Sequence, residues 1–503
     1  MRLVLTSSEA VPYAKTGGLA DVSTALAKAH AAAGHDVTLI LPHYPQVQAK
    51  NDHPPADLTG PRFPVRMGEK IVDARGGWDV LPAGTTPDGR PAEVKVLFVH
   101  RPDYFDRPHL YGDATGDYQD NAERFVFFSR AVLELCRVMA LRPDCVHAND
   151  WQTGLVPAML AEQYRGSPGF ERTGSVFTVH NLAFQGSFPH WDMHLTGLDW
   201  RLFNYTALEH HGRLNTLKAG IASADKVTTV SPTYAGEITT PEGGCGLEGA
   251  LSARGDDLVG VLNGVDPSEW SPATDPHIAE NYTAETWEEG KTACGAALRE
   301  EMKLDPPTGG GDGPLFGMVS RMTDQKGFDL ISGCVEGAVA EGAQFAFLGS
   351  GDARYEGFVR HLANKHAGRV GAVIGFDNGL AHRIEAGADA YLMPSLYEPC
   401  GLNQMYSLAY GTVPVVRKTG GLADTVVDAT PERLKAGKAN GFVFGPATPA
   451  ALGEAIGRAV KCFRDAPEAW ARLVRTGMAA DHTWAASAEK YTGLYEAAAA
   501  SHA

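Results

Sequence analysis

This sequence predicts two doubly wound α/β halves, each a parallel sheet covered by helices on both faces. Three observations carry that reading. Short apolar runs alternate with longer helical patterns through the first part of the chain and again from residue 315 to 416, the pattern of a parallel sheet. At 503 residues the chain exceeds what one hydrophobic core supports. Finally, Lys15-Thr16-Gly17-Gly18-Leu19-Ala20-Asp21 returns unchanged at 418–424. Each copy follows an apolar run and leads into a helical pattern. Two glycines let the backbone come close, helix N–H groups point outward and a lysine adds charge, which together suit an anion. One copy alone reads equally well as a tight turn with a solvated lysine. Two copies, one near each end, favour two lobes with a shared anionic ligand between them.

In chain order, Leu3-Val4-Leu5 predicts the first strand. Residues 20–33 predict an alanine-rich helix stopped by Gly34, and residues 35–41 a strand ended by Pro42. Residues 51–92, rich in Pro, Gly and Asp, read as loops or a peripheral hairpin region. A strand at 94–99 precedes a long polar and aromatic loop at 104–119, the kind that carries function in such folds. A helix with a broad apolar face spans 121–139. Strands at 145–147 and 175–180 both end in polar residues, as expected where strand C-termini meet a ligand crevice. Strands at 226–231 and 258–262 close the first half, and 263–267 is a turn. A charged helical segment and a glycine loop at 308–314 lead to strands at 315–319, 345–348, 373–374, 390–393 and 413–416. After residue 479, Trp484 begins an alanine-rich amphipathic helix expected to pack back on the first half. The expected domains are 1–258 with 480–503, and 259–479.

Composition narrows the function. The formal net charge of −16 argues against nucleic acid or an anionic membrane as the main partner, while leaving room for a local basic pocket. The five-residue apolar opening reads as a strand, not a signal peptide. No apolar run reaches membrane-spanning length. Seven cysteines, odd in number and without a CxxC pair, indicate a reduced cytoplasmic protein with neither disulfide frame nor zinc site.

Polar residues at predicted strand ends are the candidates for chemistry. Arg321 and Lys326 follow the strand at 315–319; arginine grips phosphate bidentately and lysine acts as a point charge. Glu398 lies in a turn before Cys400-Gly401-Leu402, facing either a sugar hydroxyl or solvent. Cys400 has no adjacent basic residue to activate it as a nucleophile. His147, Asn149, Asp150 and Trp151 end one strand and His180-Asn181 another; they suit sugar hydroxyls and a pyranose face, or equally a helix cap and a core histidine. No HExxH spacing and no GxSxG elbow is present.

Taken together, these motifs resemble bacterial glycogen synthases and plant starch synthases. The likeness runs from Ser8-Glu9 to the C-terminal helix. It rests on 15–21, 118–124, 147–151, 177–181, 231–238, 262–266, 320–327, 398–404 and 410–426. It implies two Rossmann-like doubly wound domains facing a deep interdomain cleft (GT-B type), with the C-terminal helix returning to the first domain. It implies transfer of glucose from ADP-glucose to the non-reducing 4-OH of an α-1,4-glucan such as glycogen, with retention and no cofactor or metal. By resemblance, Arg321 and Lys326 clamp the diphosphate, and Glu398 stands beside the donor glucose. His180 and Asp150 position its hydroxyls. Lys15 and Gly18 close on phosphate and sugar, with Asp21 and Asn263 as further polar residues and Tyr111 near the acceptor. Phe376 faces the adenine. Cys400, Gly401, Leu402, Thr419, Gly420 and Gly421 lie along the glucose and diphosphate. Neither a nucleic acid nor a membrane partner is expected, and the oligomeric state is open.

The sequence departs from the family pattern in places. Tyr406 stands eight positions after Glu398, where many retaining relatives carry a second glutamate. Asn403 replaces a small hydroxyl residue, and Cys245 stands where an aromatic is common. Retention leaves same-face attack and a covalent intermediate both open, with same-face attack favoured. The competing readings are another nucleotide-sugar transferase of this architecture and a catalytically silent glucan-binding regulator.

Overall fold

The computed structural model describes residues 1–47, 57–113, 115–308 and 312–503. The expected glycines at 309–311 and the start of the 51–92 region lie outside the described residues. The chain divides into two compact units, Met1–Gly264 with Trp484–Ala503, and Val265–Thr483.

The first unit is built on a sheet of β1 (Arg2–Thr6), β2 (Asp36–Pro42), β3 (Arg62–Met67), β4 (Lys70–Thr85), β5 (Pro91–His100), β6 (Cys145–Asn149), β7 (Gly174–Val179), β8 (Lys226–Thr229) and β9 (Leu258–Gly260). Among the described residues the order is β9-β8-β7-β6-β1-β2-β5-β4-β3. From β9 to β5 neighbouring strands are parallel. The central strands β6 and β7 are buried along their whole length, as strands covered by helices on both faces must be.

From residue 57 to 92 the chain forms the hairpin alternative rather than loops. β3 and β4 extend the sheet as antiparallel strands. β3 alternates exposed and buried residues without a break, the mark of a half-covered edge strand. The glycines of β4 mark close packing rather than a loop: a Cβ on Gly77 would lie 2.7 Å from Leu58.

The C-terminal helix Trp484–Ala500 lies in the first unit. Its Tyr495 hydroxyl meets His147 Nδ1 at 2.8 Å, and Ser487 donates to the Leu262 carbonyl at 2.6 Å. Gly174 admits the helix, since a Cβ there would stand 2.5 Å from the Ala498 backbone. His147 is therefore a core histidine, held on its other nitrogen by Thr178 at 2.6 Å.

The second unit holds β10 (Leu315–Val319), β11 (Gln344–Gly349), β12 (Val370–Ile374), β13 (Ala390–Met393), β14 (Val413–Arg417) and β15 (Phe442–Phe444). The order is β12-β11-β10-β13-β14-β15, parallel throughout. Phe316, Phe345, Phe347, Val413 and Val415 anchor its core. β15 is absent from the sequence reading because three residues carry too little pattern. In each unit the strand order reverses beside the first strand, at β1/β6 and at β10/β13. Such reversals open a crevice at the carboxyl ends of the strands. No helix among the described residues is long and apolar enough to cross a membrane.

Candidate active site

At the reversal in the second unit, three strand-end loops are knitted together. Leu396 donates its N–H to the Gln325 carbonyl at 2.7 Å, and Gln325 Nε2 donates to the Tyr397 carbonyl at 3.2 Å. Arg417 donates to the Leu396 carbonyl. Two glycines permit this closeness. Gly327 has φ +75° and a Cβ there would sit 2.1 Å from the Pro394 carbonyl oxygen. Gly420 has φ +42° and a Cβ there would sit 1.9 Å from the Glu398 carbonyl oxygen. Both need a residue without a side chain, on conformational and on steric grounds.

Inside this knot Lys326 Nζ donates to Glu398 Oε2 at 2.6 Å, and Ser395 Oγ donates to the same oxygen at 2.8 Å. Glu398 is only 7 % exposed. Arg321 follows β10 after Ser320 and is exposed, and its guanidinium has no hydrogen-bond or ion-pair partner among the described residues. Gly421 donates to the Glu398 and Pro399 carbonyls, so the turn at Thr419 and Gly420 adjoins Glu398. Cys400 is buried, while Gly401 and Leu402 are partly exposed. Asn403 turns inward and donates to the Val319 carbonyl at 3.1 Å. Phe376, after β12, is 87 % exposed.

At the reversal in the first unit, Glu9 is the organising residue. It is buried. Its Oε2 accepts the N–H groups of Thr16 and Gly17, and its Oε1 accepts the hydroxyls of Thr16 at 2.6 Å and Tyr111 at 2.5 Å. Ser8 Oγ lies 2.7 Å from the Tyr111 oxygen. Because Tyr111 gives its proton to Glu9, Ser8 is the donor in that contact. Gly18 opens the helix Gly18–Ala32, and Lys15 Nζ pairs with Asp21 on its first turn at 2.7 Å.

After β6, Asp150 occupies the left-handed region with φ +56°, unusual for a residue with a side chain. Its Oδ1 accepts the His180 N–H at 2.8 Å. Burial pushes its carboxyl up to about 7, against the pull of the His180 and Asn181 backbone N–H groups. Burial moves the His180 imidazole the other way, down to about 3, so the ring is neutral at physiological pH. His180 Nε2 lies 2.8 Å from Asn149 Oδ1. Trp151 packs edge-on against Phe125 at 4.8 Å between ring centres. Asn263 is buried, and its Oδ1 has no hydrogen-bond partner among the described residues.

Residues 2–253 match the family model described as starch synthase catalytic domain, and residues 305–473 match glycosyl transferases group 1. A protein of Rhodopirellula baltica named glycogen synthase is 44 % identical over 500 residues, spanning 98 % of this chain and 97 % of that protein. A glycogen synthase of Anaeromyxobacter dehalogenans is 46 % identical over 497 residues, spanning 98 % and 99 %. This chain belongs to the glycogen synthase family. The catalytic domain of starch synthase IV from Arabidopsis thaliana, solved with ADP and acarbose bound, superposes with a TM-score of 0.88 at 32 % identity over 99 % of each chain. Sucrose-phosphate synthase from Thermosynechococcus elongatus shares the fold, with a TM-score of 0.59 at 19 % identity. The architecture is thus a two-domain, GT-B-like glycosyltransferase with parallel-sheet domains.

Within this glycogen synthase family member, the structure gathers Lys326, Glu398, Thr419, Gly420 and Gly421 in the second unit. It gathers Lys15, Gly18, Asp21, Tyr111, Asp150 and His180 around the reversal of the first. Phe376 projects from its own turn after β12. Two side chains that organise these places, Glu9 and Ser395, are not among the sequence-predicted site residues, and Asn149, which the sequence suits to a sugar hydroxyl, faces His180. Glu9 meets Tyr111 from 102 residues away, whereas Ser395 meets Glu398 three residues on. The one signal available was Glu9, an acidic residue just before the first glycine repeat.

Proposed function

We propose that this protein extends an α-1,4-glucan, transferring glucose from ADP-glucose to the non-reducing 4-OH with retention of configuration. The observation that carries this reading is the Lys326–Glu398 pair at the strand reversal of the second unit, on the same strand-end loop as the exposed Arg321. A glycosyl–phosphate bond breaks when charge on the leaving oxygen is stabilised, and preorganised cations supply that stabilisation. Arg321 and Lys326 take the diphosphate. Phe376, already exposed, stacks on the adenine face. Glu398 stands beside the donor glucose, with Cys400, Gly401, Leu402, Thr419, Gly420 and Gly421 as surrounding backbone. In the first unit His180 and Asp150 hold sugar hydroxyls. Lys15, Gly18, Asp21 and Asn263 line the sugar and phosphate, and Tyr111 supports the acceptor side through its ring.

ADP as the nucleotide is supported by the starch synthase IV relative, whose structure holds ADP. Glycogen as acceptor is supported by the names of the curated relatives. Tyr406 stacks on Trp270 at 4.0 Å, and its helix, Asn403–Ala409, carries no carboxylate for a covalent route. Same-face attack, with the leaving phosphate taking the acceptor proton, fits a Glu398 already engaged by Lys326 and Ser395. We place the reaction in the cytoplasm.

The test is to incubate the purified protein with glycogen and either ADP-glucose or UDP-glucose, and to measure released nucleotide. Glycogen-dependent ADP release, faster than UDP release, is expected. Faster UDP release would overturn the donor assignment, and no release from either would overturn the activity.

A further inference from the structure

The contact between Asn149 and His180 contains more information than a distance. Asn149 is buried, and its Nδ2 donates to the Thr6 carbonyl at 3.0 Å. A backbone carbonyl only accepts, so the carboxamide must turn its NH2 group to Thr6 and its oxygen the other way. That oxygen, Oδ1, faces His180 Nε2 at 2.8 Å. An amide oxygen also only accepts, so Nε2 must carry the proton. In a neutral imidazole the second nitrogen is then a bare acceptor. His180 Nδ1 has no hydrogen-bond partner among the described residues and is not among the enclosed polar atoms that lack one.

The arrangement is held from three sides. Thr6 ends β1 and Asn149 ends β6, in adjacent register at the strand reversal. Asn149 also donates its own N–H to Thr153 Oγ1 at 2.6 Å. The His180 backbone is fixed by Asp150 Oδ1 at 2.8 Å. The imidazole therefore cannot exchange its two nitrogens without breaking a buried hydrogen bond, and a buried polar group left unpaired is costly.

We propose that Asn149 is a positioning residue that locks His180 in the Nε2–H tautomer, so that Nδ1 accepts a hydrogen bond from one hydroxyl of the donor sugar. This rests on the glucosyl-transfer reading for the identity of the ligand, but the tautomer itself does not. The consequence is directional. The recognised sugar position must carry a proton donor: a hydroxyl satisfies Nδ1, whereas fluorine at the same carbon does not.

Two measurements test it. The first is nitrogen NMR of protein labelled at histidine, with His180 assigned from its absence in His180→Gln. The wild-type resonance is expected at the Nε2–H tautomer. A wild-type Nδ1–H tautomer or a charged ring at pH 7 overturns the proposal, whatever the protein's activity. The second is kinetics with ADP-glucose analogues made deoxy or deoxyfluoro at one carbon at a time. One position is expected to lose about tenfold or more in kcat/KM for both analogues in wild type. Asn149→Ala and Asn149→Leu, neither of which offers an oxygen to Nε2, are both expected to shrink that loss, as is His180→Ala. Asn149→Leu, which keeps the side-chain volume, serves where the alanine variant does not fold. If every position keeps its full penalty in either Asn149 variant, Asn149 does not act through His180. Wild type inactive with ADP-glucose would instead remove the reading of the function and leave the NMR result standing.

Discussion

Lys326 and Glu398, 72 residues apart in sequence, are joined by a 2.6 Å hydrogen bond between Nζ and Oε2. Their side chains are 17 % and 9 % exposed. Removing one partner of a largely buried pair leaves the other without compensation, typically at about 3 kcal/mol. Lys326→Ala is therefore expected to lose about that much stability in urea unfolding, and at least about a hundredfold in turnover. Glu398→Gln keeps the shape and should lose turnover with a smaller change in stability. The double variant Lys326→Met/Glu398→Gln should regain stability relative to Lys326→Ala without regaining activity. Near-normal turnover in either single variant would remove that residue from the catalytic machinery.

The two glycine repeats respond differently to the same substitution. Gly17 is extended, and a Cβ there meets nothing within 4 Å. Gly420 is left-handed, and its Cβ would fall 1.9 Å from the Glu398 carbonyl oxygen. Gly17→Ala should leave the melting temperature within about 2 °C of wild type. Gly420→Ala should lower stability by at least about 2 kcal/mol. Equal effects at both positions would contradict the conformations described.

Glu9 accepts four hydrogen bonds from Thr16, Gly17 and Tyr111. Glu9→Gln turns one acceptor oxygen into a donor that faces other donors. A loss of about 2 kcal/mol is expected, with faster hydrogen exchange at the Thr16 and Gly17 amides. Unchanged exchange at those amides would show that the loop does not depend on this carboxylate.

Asp150 predicts a pH effect of definite sign. Its carboxyl is raised to about 7 in the folded chain, so the folded state holds that proton more tightly than the unfolded state. Its contribution is intact below the usual carboxylate value near 4 and is lost as pH rises towards 7. Asp150→Asn cannot ionise, and asparagine tolerates the left-handed backbone as well as aspartate does. The variant should therefore match wild type near pH 4 and gain on it by pH 8, by about 2–4 kcal/mol. Thermal melts across that range decide the matter. A variant that is less stable than wild type at pH 8 would sink the prediction.

Much of the architecture is legible in the residues. Runs such as Leu315–Val319 and Ala390–Met393 are short, apolar and bounded by turn residues, and they appear as strands where periodicity places them. Other elements are not legible, for identifiable reasons. β4 carries Gly76, Gly77 and Pro82 within its span, which reads as a loop until the close approach of Leu58 supplies the reason for a glycine. The sequence marks Arg321 and Lys326 alike as phosphate-binding cations on one loop, without saying which is buried. Only the fold distinguishes them, burying Lys326 against Glu398 and leaving Arg321 open. Asn149 reads as a strand-end amide suited to a sugar hydroxyl. Its orientation follows from the Thr6 carbonyl on a neighbouring strand, more than a hundred residues away in the chain.

The repeated heptapeptide draws the line between the two kinds of information. Its residues require a tight strand-to-helix turn, because glycine pairs before an apolar helical pattern favour nothing else. They do not specify which turn. At 15–21 the helix begins at Gly18, behind an extended Gly17 whose N–H, with that of Thr16, is held by the Glu9 carboxylate. At 418–424 the corresponding helix begins one residue earlier, at a left-handed Gly420 pressed against the Glu398 carbonyl. Identical local preferences thus settle into different backbones, because the hydrogen-bond acceptor that each turn meets is brought there by the rest of the fold.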